Sequence, residues 1–298
     1  MGTQRAVYVA ELFKKLEEQH LFYEAMHYQC FIVPGTKLGV ILLELGETRE
    51  ISLRTVFYGS GQKYDLDGVD EFYYHVLLWD KEKQLIVAGY RFRTNANWDL
   101  QTIEQQSYME KCYPGIYMEL SNKKKFIEFG RAFLSVPYQK NTSAMYLIWS
   151  CALTYLTRQY AEHAVILGIP WIPLEDFKEE SIAFMIRALS NKHLYHPSIR
   201  SRPRCPYEHK HRLTPELEQL AEEQSNVSAI FNVIGEIENR VCKPPSLLKQ
   251  YIDTMEGKIH SLSFSPDFNL LEVLISTDLT DLPTDKLSYF VKGLDEVV

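Results

Sequence analysis

Hydrophobic and polar residues follow two different periods along this chain of 298 residues. Near the start, apolar residues recur every three or four positions, which predicts an amphipathic helix over residues 8–27. Residues 31–58 are rich in apolar and β-branched side chains and are expected to be extended. Two aromatic and β-branched stretches, 72–79 and 85–92, flank four consecutive charged residues, and this arrangement predicts a β-hairpin.

The second half of the chain alternates between strand-like and helix-like segments. Residues 126–134 and 165–169 are predicted strands, whereas residues 143–160 and 175–190 are predicted helices. The following stretch, residues 191–212, contains several prolines and much of the positive charge, and we expect a loop there.

The C-terminal part is predicted to be mainly helical. Thr214 followed by Pro215 predicts an N-cap with proline at the first helical position. Helices are then expected through residues 216–256, with a break at the two prolines 244–245, and a last strand is expected at residues 270–277. The element order lacks the βαβ regularity and the glycine-rich loop of a dinucleotide fold, and it predicts a mixed sheet flanked by helices.

Composition and charge exclude several classes of protein. With 46 % hydrophobic and 24 % charged residues, the chain is neither disordered nor fibrous. Its net charge of −7 argues against nucleic-acid binding by the chain as a whole. One segment differs from the rest. Residues 187–212 hold seven Lys or Arg against one Glu, so their net charge is +6 and the remainder carries −13.

Disulfide, metal and hydrolase chemistry find no support in the sequence. The five cysteines lie far apart, so we expect a reducing, cytoplasmic setting and no cysteine metal motif. Four histidines lie within residues 193–211, but their Arg and Lys neighbours repel cations, which favours a solvated loop over a metal site. The sequence has no Gly-x-Ser-x-Gly motif, no phosphate-binding loop and no apolar stretch long enough to span a bilayer.

Charged residues interrupt several segments that are otherwise suited to burial. Such a charge is costly unless it is paired or solvated in a cleft. Edge strands with alternate residues in solvent would explain each charge singly, but their number favours a polar site over a sheet. The residues concerned are Arg54, Asp65, Asp67, Asp70, Arg91, Glu128 and Arg131.

A family resemblance gives this set a chemical interpretation. Five short motifs occur in the order Asp65-Leu66-Asp67-Gly68-Val69-Asp70-Glu71-Phe72, Ile86-Val87-Ala88-Gly89-Tyr90-Arg91, Glu128-Phe129-Gly130-Arg131, Pro245-Ser246-Leu247-Leu248-Lys249 and Ser265-Pro266-Asp267-Phe268-Asn269. In this order they resemble the hemolysin-like acyltransferases, which include the bacterial ornithine-lipid and glycine-lipid N-acyltransferases. The family is a branch of the GNAT superfamily and is similar to autoinducer synthases and N-acyl amino acid synthases.

The resemblance implies a fold and an activity. The expected fold class is α+β, with a GNAT-like, mostly antiparallel central sheet in residues 1–190. Residues 191–298 would add the basic loop and a helical extension that returns one strand to the core. The implied activity is transfer of a fatty or 3-hydroxy fatty acyl chain from acyl carrier protein to the amine of an amino acid or a similar small acceptor.

The resemblance also implies roles for individual residues. The implied catalytic residues are Glu128, Arg131 and Arg91. The implied substrate contacts are Arg54, Phe57, Asp67, Asp70 and Trp79.

The proposed chemistry makes one geometric demand on the strand at residues 126–134. Glu128 is expected to act as the general base, whereas Arg91 either binds a carboxylate of the acceptor or holds the aspartates in place. In a regular strand Glu128 and Arg131 would face opposite sides, because they lie three residues apart. They share a site only if a bulge near Gly130 reorients the chain.

The acyl donor and the protein that carries it are inferred from two features of the sequence, a missing glycine-containing loop and the position of the positive charge. Residues 135–146 contain no glycine, so the loop by which typical GNAT enzymes bind the coenzyme A diphosphate is missing. We therefore expect the phosphopantetheine of acyl carrier protein as donor, with acyl-CoA less favoured, and no tightly bound cofactor. Arg200, Arg202 and Arg204 are expected to contact the acidic carrier protein or, peripherally, an anionic membrane surface.

Two alternatives remain open at this stage. One is a homoserine lactone autoinducer synthase, although such proteins are usually much shorter. The other is an inactive GNAT scaffold that binds lipid or protein through its basic loop.

Overall fold

One sheet of nine strands forms the centre of the protein, as seen in a computed structural model that describes residues 2–56, 58–96, 98–207, 211–266, 268–284, 286 and 288. The strands are β1 (Leu21–Ala25), β2 (Tyr28–Pro34), β3 (Tyr74–Asp80), β4 (Leu85–Thr94), β5 (Phe126–Leu134), β6 (Val165–Gly168), β7 (Trp171–Pro173), β8 (Lys258–Ser265) and β9 (Leu270–Asp278). Within the described residues every strand pair is antiparallel except β5 and β6, which run parallel. The predicted mixed, mostly antiparallel sheet is confirmed.

The sheet joins the two halves of the chain. Strands β1 to β6 follow one another in sequence order, and β9 comes next. The two ends of β9 pair with β6 and β7, and residues 270–276 of β9 pair with β8. The C-terminal part therefore returns two strands, where the sequence predicts one. A register shift between Ile259 and Ser261 breaks the alternation of apolar and polar residues in β8, which hides this strand from a pattern of period two.

Helices cover both faces of the sheet. They are α1 (Gly2–His20), α2 (Gly35–Leu38), α3 (Ile41–Arg54), α4 (Ile103–Gln106), α5 (Tyr108–Cys112), α6 (Ile116–Ser121), α7 (Thr142–Gln159), α8 (Glu179–Leu189), α9 (Pro215–Glu222), α10 (Val227–Glu238) and α11 (Ser246–Lys249). The predicted N-cap is present, since the Thr214 side chain accepts a hydrogen bond from the Leu217 amide. Within the described part of the chain, no helix is long and apolar enough to cross a membrane.

The alternation of side chains in β2 separates two hydrophobic cores. Cys30 and Ile32 point into a large core beneath α7, α8 and α10, whereas Phe31 and Val33 point into a smaller core beneath α1 and α3. The largest fully buried side chain, Trp149 of α7, lies in the larger core.

Two predicted segments are wrong in their secondary structure. Residues 31–58 are predicted to be extended, but beyond Pro34 the chain forms α2 and α3. Buried residues in α3 recur every four positions, at Ile41, Leu45, Arg49 and Leu53, which is the spacing of one helix face. The apolar run at residues 40–43 is typical of both a strand and a helix and obscures this period. The predicted helix at residues 8–27 also ends early, because β1 begins at Leu21.

Candidate active site

A cavity opens between β5 and β7, beyond the point where the two parallel strands of the sheet stop pairing. β5 and β6 pair only from Phe126 to Glu128, after which they diverge. The cavity that opens there has a volume of about 470 Å³ and is lined mainly by apolar side chains of β5, β7, α3 and α10. This is the size of an ordinary ligand pocket, for which about 300–1,000 Å³ is typical.

A β-bulge in β5 orients the charged residues at the inner end of this cavity. On β4, Gly89 pairs with Phe133 and Arg91 pairs with Gly130, so β5 contains one extra residue between these two pairs. The extra residue is accommodated at Arg131, whose φ is 54°, in the left-handed region. The bulge required by the sequence argument is therefore present, and both Glu128 and Arg131 line the cavity.

Three arginines and three aspartates form a closed ring of ion pairs beside the cavity. Each arginine contacts two aspartates and each aspartate contacts two arginines. The six pairs, with their shortest N–O distances, are Arg49–Asp65 (2.8 Å), Asp65–Arg131 (2.8 Å), Arg131–Asp67 (3.1 Å), Asp67–Arg91 (2.6 Å), Arg91–Asp70 (2.7 Å) and Asp70–Arg49 (3.0 Å). Because positive and negative charges alternate around the ring, each buried charge is compensated by its two neighbours.

The arginines of the ring fix the protonation of Asp67 and Asp70. Burial alone would raise the pKa of Asp67, but hydrogen bonds and charge from Arg91, together with the charge of Arg131, outweigh it and hold the pKa at about 2. The same opposition, with Arg49 and Arg91 as the cations, places the pKa of Asp70 far below its ordinary value. Both groups are therefore anionic near neutral pH and hold the arginines in place.

Arg49 is a ring member that the sequence interpretation misses. It is 1 % exposed and lies on the buried face of α3. Its only sequence signal is the four-residue spacing of that face, which is visible only when the segment is recognised as a helix. By contrast, Arg54, which the sequence assigns to the site, ends α3 with a side chain that is 59 % exposed and paired with Glu50. The structure therefore does not place Arg54 at the cavity.

Glu128 is buried and held by four hydrogen-bond donors. Its carboxylate accepts hydrogen bonds from the hydroxyls of Tyr73, Ser107 (2.6 Å) and Tyr117 (2.6 Å) and from the Met109 amide (2.9 Å). A carboxylate has about four acceptor positions, so all of them are occupied. The same donors anchor α5 and α6 over β5.

Tyr73 connects Glu128 to the ring of ion pairs. Its hydroxyl binds the Glu128 carboxylate, while its aromatic face lies 4.4 Å from the guanidinium carbon of Arg91. Trp171 and Tyr108 place their rings near Arg131 in the same way, each at 5.5 Å. Aromatic faces therefore enclose those parts of the arginines that the aspartates do not contact.

Trp79 and Phe57 are also predicted to contact substrate. Trp79 stacks on Phe13, with 4.1 Å between ring centroids, in the smaller core, and it does not line the cavity. The structure therefore does not place Trp79 at the cavity, because alternation along β3 turns it towards α1. Phe57 lies outside the described residues.

The described residues of the basic stretch 191–212 lie on another part of the surface. This stretch runs beside β8, with single β-bridges from Tyr195 to Ile259 and from Pro206 to Ser263. The side chains of Arg200, Arg202 and Arg204 are exposed, and Arg204 is paired with Glu104. None of the described residues in 191–212 lines the cavity.

Comparisons with known proteins agree with this arrangement. Residues 49–149 match the family model of the acetyltransferase (GNAT) domain, and this range contains all six ring residues and Glu128. The chain is 28 % identical over 118 residues to a glycine N(alpha)-acyltransferase of Bacteroides thetaiotaomicron, covering 37 % of this chain and 34 % of that protein. It is 22 % identical over 157 residues to a glycine N(alpha)-acyltransferase of Phocaeicola vulgatus, covering 52 % and 37 %. The chain thus matches about a third of the length of these relatives.

Proposed function

We propose that the chain is an acyltransferase of the GNAT superfamily that transfers a fatty acyl chain from acyl carrier protein to the amine of an amino acid or a similar small acceptor. The observation that carries the proposal is the cavity between β5 and β7, because one space joins long apolar walls to Glu128 and Arg131. A two-carbon acetyl group would leave most of its 470 Å³ unfilled, whereas a fatty chain gains free energy from each buried methylene, about 0.8 kcal/mol.

Two cations that line the cavity support a donor with a single phosphate. Arg240 and Lys243 are both exposed, and Arg240 also donates a hydrogen bond to the Asp176 carbonyl. Next to Met145, which lines the cavity, the Asn141 side chain caps the first turn of α7 by accepting a hydrogen bond from the Ala144 amide (3.1 Å), and so engages a donor that a diphosphate would use. Two side-chain cations suit the phosphate of a phosphopantetheine arm.

The inner end of the cavity supports attack by an amine. In the proposed reaction the acceptor ammonium replaces one of the donors on Glu128 and gives it a proton. The amine nitrogen then bonds to the thioester carbonyl carbon, and the carbon–sulfur bond breaks. The nitrogen gives a second proton to the released sulfur, so that an amide and a thiol form, and Glu128 returns the first proton to solvent. Aligned reactants and one positioned base can together supply a large part of the rate enhancement.

Lipid analysis of producing cells tests the proposal. Extracts from cells that make the wild-type chain should contain N-acylated amino acids or amino-acid lipids that are absent with Glu128→Gln at equal protein level. An acyl-homoserine lactone as the sole new product would identify an autoinducer synthase instead. Identical extracts from the two strains, with both proteins folded, would favour a binding scaffold and contradict the proposal.

A further inference from the structure

Arg91 has an Nε–H group that the ring of ion pairs leaves unused. Its Nη1 donates to Asp67 (2.8 Å) and Asp70 (2.7 Å), and its Nη2 donates to Asp67 (2.6 Å). Its Nε is fully buried and has no hydrogen-bond partner among the described residues. A buried donor on a charged group is costly without a partner, which indicates that a ligand supplies one.

Gly130 leaves space above itself, beside the Arg91 side chain. Gly130 pairs with Arg91 across the two strands, and both residues line the cavity. Among the described residues, a methyl group added to Gly130 would meet only Arg91 Nε, at 3.7 Å. Gly89 in the facing strand differs, because a methyl group there would lie 2.3 Å from the Phe133 ring. Packing therefore requires glycine at position 89, whereas the space above Gly130 is open to a ligand.

A second buried N–H group lies on the wall of the same cavity. Trp171 Nε1 has no partner in the described part of the chain, although the ring is held between Arg131 (5.5 Å) and Phe268 (6.3 Å). Two unused donors, one of them on a cation, suit an oxygen-bearing anion.

A carboxylate on the same cavity wall favours a ligand that also carries an amine. Glu128 lies two residues before Gly130 on β5, and both residues line the cavity. Side chains two residues apart on a strand face the same side, so an ammonium on the ligand would lie towards Glu128 while its carboxylate occupies the space above Gly130.

We propose that the space above Gly130 binds the carboxylate of a zwitterionic α-amino acid, through the N–H groups of Arg91 Nε and Trp171 Nε1. We assign this amino acid as the acyl acceptor, and only this assignment rests on the proposed function. It assigns Gly130 a role in specificity, because any side chain at this position would occupy the carboxylate's space.

Binding of two matched ligands tests the proposal without turnover. The probes are N-dodecanoylglycine and N-dodecanoylglycinamide, which have the same shape and differ in one charge. We expect the wild type to bind the acid at least about tenfold more tightly in calorimetry, as is typical of charged hydrogen bonds. Gly130→Ala should remove this preference and Trp171→Phe should reduce it. Trp98→Phe, at a tryptophan that does not line the cavity, should leave it unchanged.

Each alternative result has a distinct meaning. Equal binding of acid and amide by the wild type would overturn the carboxylate subsite, even if glycine is acylated. Equal weakening of both probes by Gly130→Ala, with an unchanged melting temperature, would also overturn it, because the space would then serve the acyl carbonyl. A preserved acid preference in a chain that acylates no amine would uphold the subsite and reject the proposed function.

Discussion

Arg131, whose φ is 54°, forms a 2.8 Å ion pair with Asp65, a residue 66 positions earlier in the chain. The bulge in β5 and the segment after α3 therefore depend on each other. Without the bulge, the Arg131 side chain would point to the other face of the sheet and the ring would lose a member. Without Asp65, the strained backbone at Arg131 would lose a contact that compensates for it.

Asp65→Asn should strongly destabilise the fold. The change leaves Arg49 and Arg131 each short of one buried carboxylate, and removing one partner of a buried ion pair typically costs about 3–5 kcal/mol. Denaturant unfolding followed by circular dichroism measures this loss. The matched control is Glu162→Gln, which breaks an exposed pair with Lys125 and should change stability by less than about 1 kcal/mol. Equal effects of the two changes would mean that the ring does not support the fold.

Stability should fall in two separate steps as the solution is acidified. Burial lowers the pKa of His75 to about 4, despite the opposing effect of Asp70, and burial likewise lowers that of His260 to about 4. The unfolded chain therefore binds more protons than the folded one between about pH 6.5 and 4, and each histidine costs roughly 3 kcal/mol across this window. Asp67 and Asp70 have depressed pKa values, so their stabilisation is lost only below about pH 4.

His75→Gln separates these two steps. The variant keeps a donor for the Asp70 carbonyl, which His75 Nε2 contacts at 2.8 Å, but it cannot titrate. Unfolding free energies measured from pH 7 to pH 4 should therefore decline less steeply than in the wild type. An unchanged slope would show that His75 is not buried in its neutral form.

Glu128→Gln should abolish acyl transfer and should also lower the melting temperature. An amide has one acceptor oxygen in place of two, so two of the four donors around position 128 would face an NH₂ group. Product formation and thermal unfolding are measured on the same sample. Tyr117→Phe is the control, because it removes one donor and keeps the carboxylate. It should retain turnover at a moderately lower melting temperature, and loss of activity in both variants at equal stability would argue against Glu128 as the base.

Charge reversal at Arg200, Arg202 and Arg204 should raise the Michaelis constant for acyl carrier protein at low salt and leave the limiting rate nearly unchanged. The three side chains are exposed and lie away from the cavity, so they can accelerate encounter but cannot take part in the chemistry. Kinetics at several ionic strengths measure this effect, because exposed charges are screened beyond about 8–10 Å. Reversal of three other exposed cations, Lys14, Lys15 and Lys37, changes the net charge equally and is the control. The same Michaelis constant in both triple variants would place the carrier protein elsewhere.

The sequence predicts individual elements better than the contacts between them. β5 agrees with the predicted residues 126–134 because its aromatic and β-branched side chains favour a strand. The sequence indicates Arg91, Asp67 and Asp70 because charges in buried segments need partners. It does not indicate Arg49, and it favours Arg54 in its place, because an apolar run obscures the helical period of α3. The closure of the ring depends on contacts between residues far apart in the sequence, such as Arg131 and Asp65, which local patterns do not determine.

Reaction of the purified chain with competing donors tests the central claim most directly. The donors are acyl carrier protein loaded with a long acyl chain, long-chain acyl-CoA and acetyl-CoA. Each is offered with a mixture of amino acids, and the products are identified by mass spectrometry. We predict N-acyl amino acids from the loaded acyl carrier protein, a slower reaction with long-chain acyl-CoA, little product from acetyl-CoA, and none with Glu128→Gln. Acetylated products formed as fast as long-chain ones, or no amide product from any donor, would contradict the account.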